Sequence, residues 1–370
     1  MSEEKRFHAR LFWLQSAARK IFIGHRVSAC CRVTVPQKKV EIWGDVKQRR
    51  AKYRNVIRCA SVWHCPVCAN NVTAHRRDEL QTVIAAFREI TIPTMISFTV
   101  RHARKDTLLD TMTTVLEAWR DMTSRRAWSN MKSDGKLRGY VRSLEITWGQ
   151  ANGWHPHIHC LFFFALGTNV AEEYKNIREW WAHNVARAGG DTVWEYATSM
   201  STTDDSVAGY MAKWGHEPSE ETRKRLSNWG QAQEVTRGGQ KQGKKGSLTP
   251  FDMLELFLVN GQYGPSYWGA LLREYCEAMI GQRQITWSRN PDLRQEAGIK
   301  KDLSDAEIAE GTEAGYYLLA TIEPDEWTAI LWAGVQGVIL DCASRGDNDM
   351  MRGIITDCQN EHIESMKRTR

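Results

Sequence analysis

No apolar run in this sequence approaches the roughly 20 residues that span a bilayer. The longest, Leu161–Leu166, is the length of a strand. The amino terminus, Met1-Ser2-Glu3-Glu4-Lys5, lacks the apolar core of a signal peptide. Both absences argue against a membrane partner and lead us to expect a cytoplasmic chain, in which thiols stay reduced. There is no internal repeat. There is also no complete phosphate-binding loop. Gly238-Gly239-Gln240-Lys241-Gln242-Gly243-Lys244-Lys245 approaches GxxxxGK[ST], but lysine stands where a hydroxyl would meet Mg²⁺. No strand leads into it and no helix follows at once, which argues against an ATPase or helicase activity of the chain's own.

What is present begins with 42% hydrophobic residues in a chain of 370, enough for a substantial core and two or three domains. The formal net charge is +6 and the pI near 8.8, compatible with an anionic partner without demanding one. Cations are dense at Lys47–Arg58 and Arg223–Lys245, and acids dominate beyond Asp302 until Lys367-Arg368-Thr369-Arg370. Residues 1–70 read as basic and broken by loops. Periodicity predicts helices over 71–89, 106–128 and 170–188, and strands over 94–100, 140–148, 154–164 and 192–197. A short helix is expected at 206–214, helix again over 249–281, and a largely helical stretch over 307–358. This order describes an α+β fold, a central antiparallel sheet flanked by helices. The expected organisation is 1–90 as a basic, cysteine-rich region ending in a helix, 91–216 as the core, 217–248 as a basic flexible loop, and 249–370 as a helical C-terminal region.

The segment Gly153-Trp154-His155-Pro156-His157-Ile158-His159-Cys160 carries the most chemistry. On a strand, His155, His157 and His159 share one face, and Pro156, Ile158 and Cys160 point into the opposite layer. Neutral imidazole is a common metal ligand. If the loop 149–153 is symmetric about Ala151, Glu145 lies opposite His157 and Ser143 opposite His159, on the same face. Two imidazoles and one carboxylate leave open positions on a divalent ion such as Mg²⁺ or Mn²⁺, and His155 is a further candidate ligand. The alternative is a histidine-rich surface strand, and a one-residue slip in register would carry Glu145 away.

Cys59, Cys65 and Cys68, the last two spaced Cys-x-x-Cys, lie downstream of Cys30-Cys31. In a reducing compartment such a group suits a closed structural Zn²⁺ site. A redox pair is the alternative, but no βαβ context surrounds it. Cys30, Cys31 and His64 are candidates for the fourth ligand, with Cys30 preferred. Cys160, Cys276, Cys342 and Cys358 read as ordinary buried residues.

Further on, Val207-Ala208-Gly209-Tyr210-Met211-Ala212-Lys213-Trp214 would place Tyr210, Lys213 and Trp214 on one helix face. Alone the pattern is weak. Histidine–apolar–histidine on a strand, followed by Tyr-x-x-Lys on a helix, resembles the HUH endonucleases. Histidines before tyrosine resembles the rolling-circle replication initiators of plasmids and phages, rather than relaxases, whose tyrosine precedes the histidines. Met95-Ile96-Ser97-Phe98-Thr99-Val100 and Leu144-Glu145-Ile146-Thr147 are similar to other motif strands of plasmid Rep proteins, and the likeness covers roughly residues 55–290. Some relatives carry a second tyrosine where Trp214 stands here, so the chain resembles the single-tyrosine type.

The resemblance implies the HUH nuclease fold and metal-dependent nicking and joining of single-stranded origin DNA. Tyr210 would be the nucleophile, leaving a 5′-phosphotyrosine and a 3′-hydroxyl, with Lys213 beside it. A host DNA polymerase and helicase would extend the 3′ end. Termination would use water activated by Asp204 or Asp205, or Tyr210 of another subunit, so a homodimer is one option. Lys241, Lys244 and Lys245 are expected to touch phosphates, although a solvated linker fits that stretch nearly as well. Trp154 and Trp214, with Trp180 and Trp181, are candidates for stacking on unpaired bases. Core packing explains most of the 16 tryptophans equally well. A single-strand transposase of the same chemistry, a non-catalytic zinc-containing DNA-binding protein and a hydrolase whose histidines activate water are the rivals.

Overall fold

The computed structural model describes residues 7–192, 196–201, 247–289, 292–300, 302–311 and 315–368. In chain order the elements are α1 (Phe7–Ile21), β1 (Val40–Asp45), β2 (Arg50–Arg54), α2 (Pro66–Phe87), β3 (Thr91–Phe98), α3 (Leu108–Ser124), α4 (Arg126–Ser133), β4 (Leu137–Gly149), β5 (Gly153–Ala165) and α5 (Val170–Arg187). There follow β6 (Thr198–Ser201), β7 (Ser247–Leu248), α6 (Pro250–Leu258), α7 (Gly264–Ala278), β8 (Ile285–Trp287), α8 (Leu293–Glu296), α9 (Asp305–Glu310), β9 (Tyr317–Ile322), α10 (Pro324–Ala333), α11 (Gln336–Arg345) and α12 (Asn348–Arg368). They form two compact units, each assembled from separate stretches. Met1–Val72, Leu254–Gly269 and Leu303–Arg370 make the first; Thr73–Met253 and Ala270–Asp302 make the second.

The second unit is built on an antiparallel sheet in the order β6-β3-β5-β4-β7, with β8 also pairing β4. This is the expected α+β class. β5 lies between β3 and β4, and Cys160–Phe164 is buried throughout, which is why that run is apolar at consecutive positions. Odd-numbered Leu161 and Phe163 meet Leu80, Val83 and Phe87 of α2, with Met95, Val141 and Leu293. Even-numbered Phe162 faces the other layer. There Phe98 packs edge-on against Trp119 of α3 and Trp181 of α5, and Trp128 of α4 against Tyr140 and Phe162. Each such aromatic pair adds about 0.5–1.5 kcal/mol beyond its buried area. Much of the tryptophan content is core.

Several boundaries differ from expectation. The helix predicted over 106–128 is two, because Arg125 is extended (φ −76°, ψ 154°) and its Nε donates to Asn184 Oδ1 at 2.9 Å. The helix predicted over 249–281 breaks where Asn260, Tyr263 and Gly264 all take positive φ. The strand expected at 192–197 is found at Thr198–Ser201, pairing β3; residues 193–195 lie outside the described residues. The short helix expected at 206–214 and the basic loop 217–248, up to residue 246, also lie outside them.

In the first unit, residues 7–54 hold a helix and two strands, and the largely helical C-terminal stretch also contributes the strand β9. β9 pairs β1 in the sheet β2-β1-β9. One sheet face buries Val40, Ile42, Tyr53, Ala320 and Ile322. Tyr53 donates to Gln336 O at 2.8 Å, and Trp327 Nε1 to Arg32 O at 2.9 Å. The buried Asp341 carboxylate on α11 accepts the backbone N–H groups of His8 and Ala9 at 2.8 and 3.0 Å, where the orphan donors of α1 favour an anion. Among the described residues no single helix is long and apolar enough to cross a membrane.

Candidate functional site

β4 and β5 pair in the register expected from a loop symmetric about Ala151. Glu145 lies opposite His157, and Ser143 opposite His159. The short loop fixes this register locally, so the odd-numbered histidines and Glu145 share a face. Glu145 Oε2 lies 2.8 Å from His159 Nε2 and 3.2 Å from His157 Nε2. Both Nδ1 atoms have other partners. His159 Nδ1 meets Ser97 Oγ at 2.7 Å, and His157 Nδ1 meets the His155 carbonyl at 3.2 Å. Ser97 is on β3, directly opposite His159. In the tautomer that donates Nδ1–H to these partners, both Nε2 lone pairs would face a cation bound beside the Glu145 oxygen, the arrangement metal-binding histidines need.

These three side chains form a group able to hold an ion, their ligand atoms all within 4.8 Å of one another. The cis edge of an octahedron with bonds of about 2.1 Å is about 3.0 Å, near the separations seen, so the donor set fits a hard divalent cation. Burial pushes the Glu145 carboxyl up. His157 and His159 together outweigh it and hold the group well below the usual carboxylate range. The Glu145 side chain keeps 29% of its surface exposed, so the site has an open side.

His155 is stacked on His157, and its Nδ1 lies 3.4 Å from His102 Nδ1. Burial, reinforced by His157 and His102, pushes it down to about 3, so it is neutral at ordinary pH. It is not one of the three converging ligands. His102 belongs to the exposed basic loop Arg101-His102-Ala103-Arg104-Lys105, in which Ala103 N–H donates to the Asp106 carboxylate at 2.7 Å. The loop rests on the β4–β5 turn. Gly153 takes φ +74°, and a Cβ there would lie 2.9 Å from Arg104 Cα.

A second group, in the first unit, gathers Cys30, Cys59, Cys65 and Cys68, all buried. Cys30 Sγ lies 3.5 Å from Cys68 Sγ and 3.8 Å from Cys65 Sγ, and Cys59 Sγ lies 3.7 Å from Cys68 Sγ. Four sulfurs about 2.3 Å from a central Zn²⁺ would stand about 3.8 Å apart. The group is thus a possible zinc site, with Cys30 in the fourth position. Hydrogen bonds from Cys31, Cys59, Cys65 and Cys68 hold the Cys30 thiol below its usual range, while the hydrogen bond with Cys30 raises Cys59 and burial raises Cys65. Gln15 Nε2 donates to Cys65 Sγ at 3.1 Å. Cys31 is not one of the four, although its Sγ lies 3.8 Å from Cys30 Sγ; it accepts from Arg58 Nη1 at 2.9 Å, and His64 is turned to Ser61 and His25.

Trp154, expected to stack on bases, is a correction. It is 3% exposed and its ring is stacked on Tyr275, because even-numbered positions of β5 face the layer opposite the histidines. Trp181 is likewise buried, its Nε1 donating to Thr99 O. Tyr210, Lys213, Trp214, Asp204, Asp205, Lys241, Lys244 and Lys245 lie outside the described residues. Ser97 and His102 join the site without having been candidates from the sequence. Ser97 carried a signal in its strand parity, readable only once β3 is paired with β5; His102 carried none.

Residues 50–183, which include Glu145, His157 and His159, match the sequence model of a family described as Replication protein. Over 301 residues the chain is 25% identical to the protein named "Protein rep" of Streptomyces lividans, an alignment covering 66% of this chain and 64% of that protein. Over 131 residues it is 28% identical to "Neomycin resistance protein" of Streptomyces cyanogenus, covering 29% of this chain and 30% of that one. The chain therefore spans less than two thirds of the length of either relative. No solved structure matches it significantly.

Proposed function

We propose that the chain is a plasmid replication protein of the HUH, single-tyrosine type, which nicks and rejoins single-stranded origin DNA in the cytoplasm. The observation that carries the reading is the convergence of Glu145, His157 and His159 on paired strands, inside the stretch that matches the replication-protein family. A Mg²⁺ or Mn²⁺ ion held there would supply Lewis-acid polarisation of the scissile phosphate. The Tyr210 oxygen attacks phosphorus, and its proton passes by way of solvent to the departing 3′ oxygen. The bond to the 3′ oxygen breaks, giving a 5′-phosphotyrosine and a free 3′-hydroxyl. A phenol of pKa about 10 is roughly three units from ionising at neutral pH, a cost of about 4 kcal/mol that the Lys213 cation offsets in part. One phosphodiester replaces another, so no ATP is required. Glu145 balances charge on the ligand face, and Ser97 and the His155 carbonyl hold the imidazoles in orientation. Zn²⁺ on Cys30, Cys59, Cys65 and Cys68 is the structural metal. The 3′ end then primes a host polymerase aided by a host helicase, and a second subunit's Tyr210 is one route to termination.

The test is incubation of wild type and Tyr210→Phe with 3′-labelled single-stranded origin DNA and Mn²⁺, read on a denaturing gel. Wild type is expected to give a protein–DNA adduct and Tyr210→Phe none. An adduct in both would remove the nucleophile assignment. Tight DNA binding with no adduct in either would leave a non-catalytic DNA-binding protein.

A further inference from the structure

The segment Arg101-His102-Ala103-Arg104-Lys105, between β3 and α3, borders the histidine face of the second unit. Its backbone is held at successive residues. Arg101 N–H donates to Asp191 O at 2.8 Å, and Asp106 N–H donates to Ala103 O at 3.0 Å. Ala103 N–H is taken by the Asp106 carboxylate, and the Arg104 backbone rests so closely on Gly153 that a Cβ would not fit between them. One ring adds a lateral tie. His102 lies 4.7 Å from His155, centre to centre, and His155 lies 4.8 Å from the candidate ligand His157.

These contacts leave two charges unspent. Arg101 pairs with Asp191 at 3.2 Å, and Asp106 serves the turn. Arg104 and Lys105 are both exposed, and among the described residues neither has a hydrogen-bond or ion-pair partner. Exposed cations are ordinary on a protein surface. What sets this pair apart is the backbone beneath it, pinned from residue 101 to 106, so that an anion meeting the two side chains need not order the loop that carries them.

We propose that Arg104 and Lys105 bind backbone phosphates of the substrate single strand, beside the phosphate that meets Glu145, His157 and His159. A strand rises about 3.4 Å per residue, so Gly153, where Arg104 rests, lies roughly 14 Å along β5 from His157. Phosphates recur about every 3.4 Å of axis even along a duplex strand, and a single strand can stretch further. The loop therefore meets the strand a few nucleotides from the scissile bond and fixes which way it crosses the ligand face. The inference rests on the reading of the chain as a single-strand nickase, but not on its nucleophile.

The experiment titrates full-length wild type, Arg104→Gln/Lys105→Gln and a charge-matched control, Lys175→Gln/Arg187→Gln, into a fluorescent oligothymidine of about 16 nucleotides. Lys175 and Arg187 are exposed on α5, whose Trp181 packs on the sheet layer opposite the histidines. Salt is varied between about 50 and 200 mM. On a single strand each lost phosphate contact removes about 0.7 from the slope of log K against log salt, so the loop variant should lose about 1.4 units. That is roughly 25-fold in affinity near 0.1 M salt. The control should keep the wild-type slope, and the loop variant should keep the wild-type Mn²⁺ affinity and melting temperature. If it melts lower, Arg104→Lys/Lys105→Arg, which retains both charges, decides: the slope should return to wild type. A wild-type slope in the loop variant, an equal loss in the control, a slope not restored by the charge-retaining variant, or no binding by wild type would each overturn the proposal. Adduct formation is assayed separately: its failure beside the expected slopes would count against the tyrosine reading and leave the loop assignment standing.

Discussion

Neither the Ser97 hydroxyl nor the His155 carbonyl would touch a bound ion, yet each decides which nitrogen of a histidine faces it. Removing such an outer partner typically costs about 10–100-fold in metal affinity. Ser97→Ala is therefore expected to weaken Mn²⁺ binding by about 10-fold, and Glu145→Gln, which removes a ligand charge, by more. Titration calorimetry on the folded proteins checks both, and unchanged affinity in Ser97→Ala would mean the His159 ring is oriented by something else. The ligand face was legible in the sequence because a three-residue loop, Gln150–Asn152, brings Glu145 to His157 by local geometry alone. Ser97 was not, since its partner His159 is 62 positions away and pairing over that distance leaves no local periodicity.

The strand pair also supports a loop. Gly153 combines a left-handed φ with backbone contact against Arg104, and His102 in the same loop packs on His155. Gly153→Ala would strain the turn and push Arg104 away, with an expected destabilisation of about 1–3 kcal/mol. Gly135→Ala is the control, because Gly135 also has a positive φ, +73°, but nothing within 4 Å of an added Cβ. Thermal melts of the two variants, with trypsin cleavage at Arg101 and Arg104, separate strain from contact. Equal melting and equal cleavage would show that the loop does not depend on the turn. Elements with strong periodicity, α5 and the β4–β5 pair, were readable to within a few residues. The split at Arg125 was not, because its cause is Asn184 on another helix. β1 and β2 were missed as strands because each is short, and β9 because its partner β1 lies at the other end of the chain.

At the scale of the whole molecule, the first unit draws on both ends of the chain: β1 pairs β9, Val40 opposite Ile322. A chain ending at Asp302 lacks β9 and α10–α12, so Ile42 and Tyr53 lose their cover. Hydrogen exchange in that truncated protein should show protection lost over residues 40–54 and kept over 137–165, where pairing is internal to the second unit. Protection retained over 40–54 would mean that the hairpin and its cysteines suffice without the C-terminal helices. The same discontinuity sets an order of events during synthesis. At about 5–20 residues per second, β9 leaves the ribosome roughly 15–55 s after β1. All four grouped cysteines lie within the first 68 residues, so they are available for metal throughout that interval. An ion captured early would tie together the two ends of the nascent hairpin before its third strand arrives.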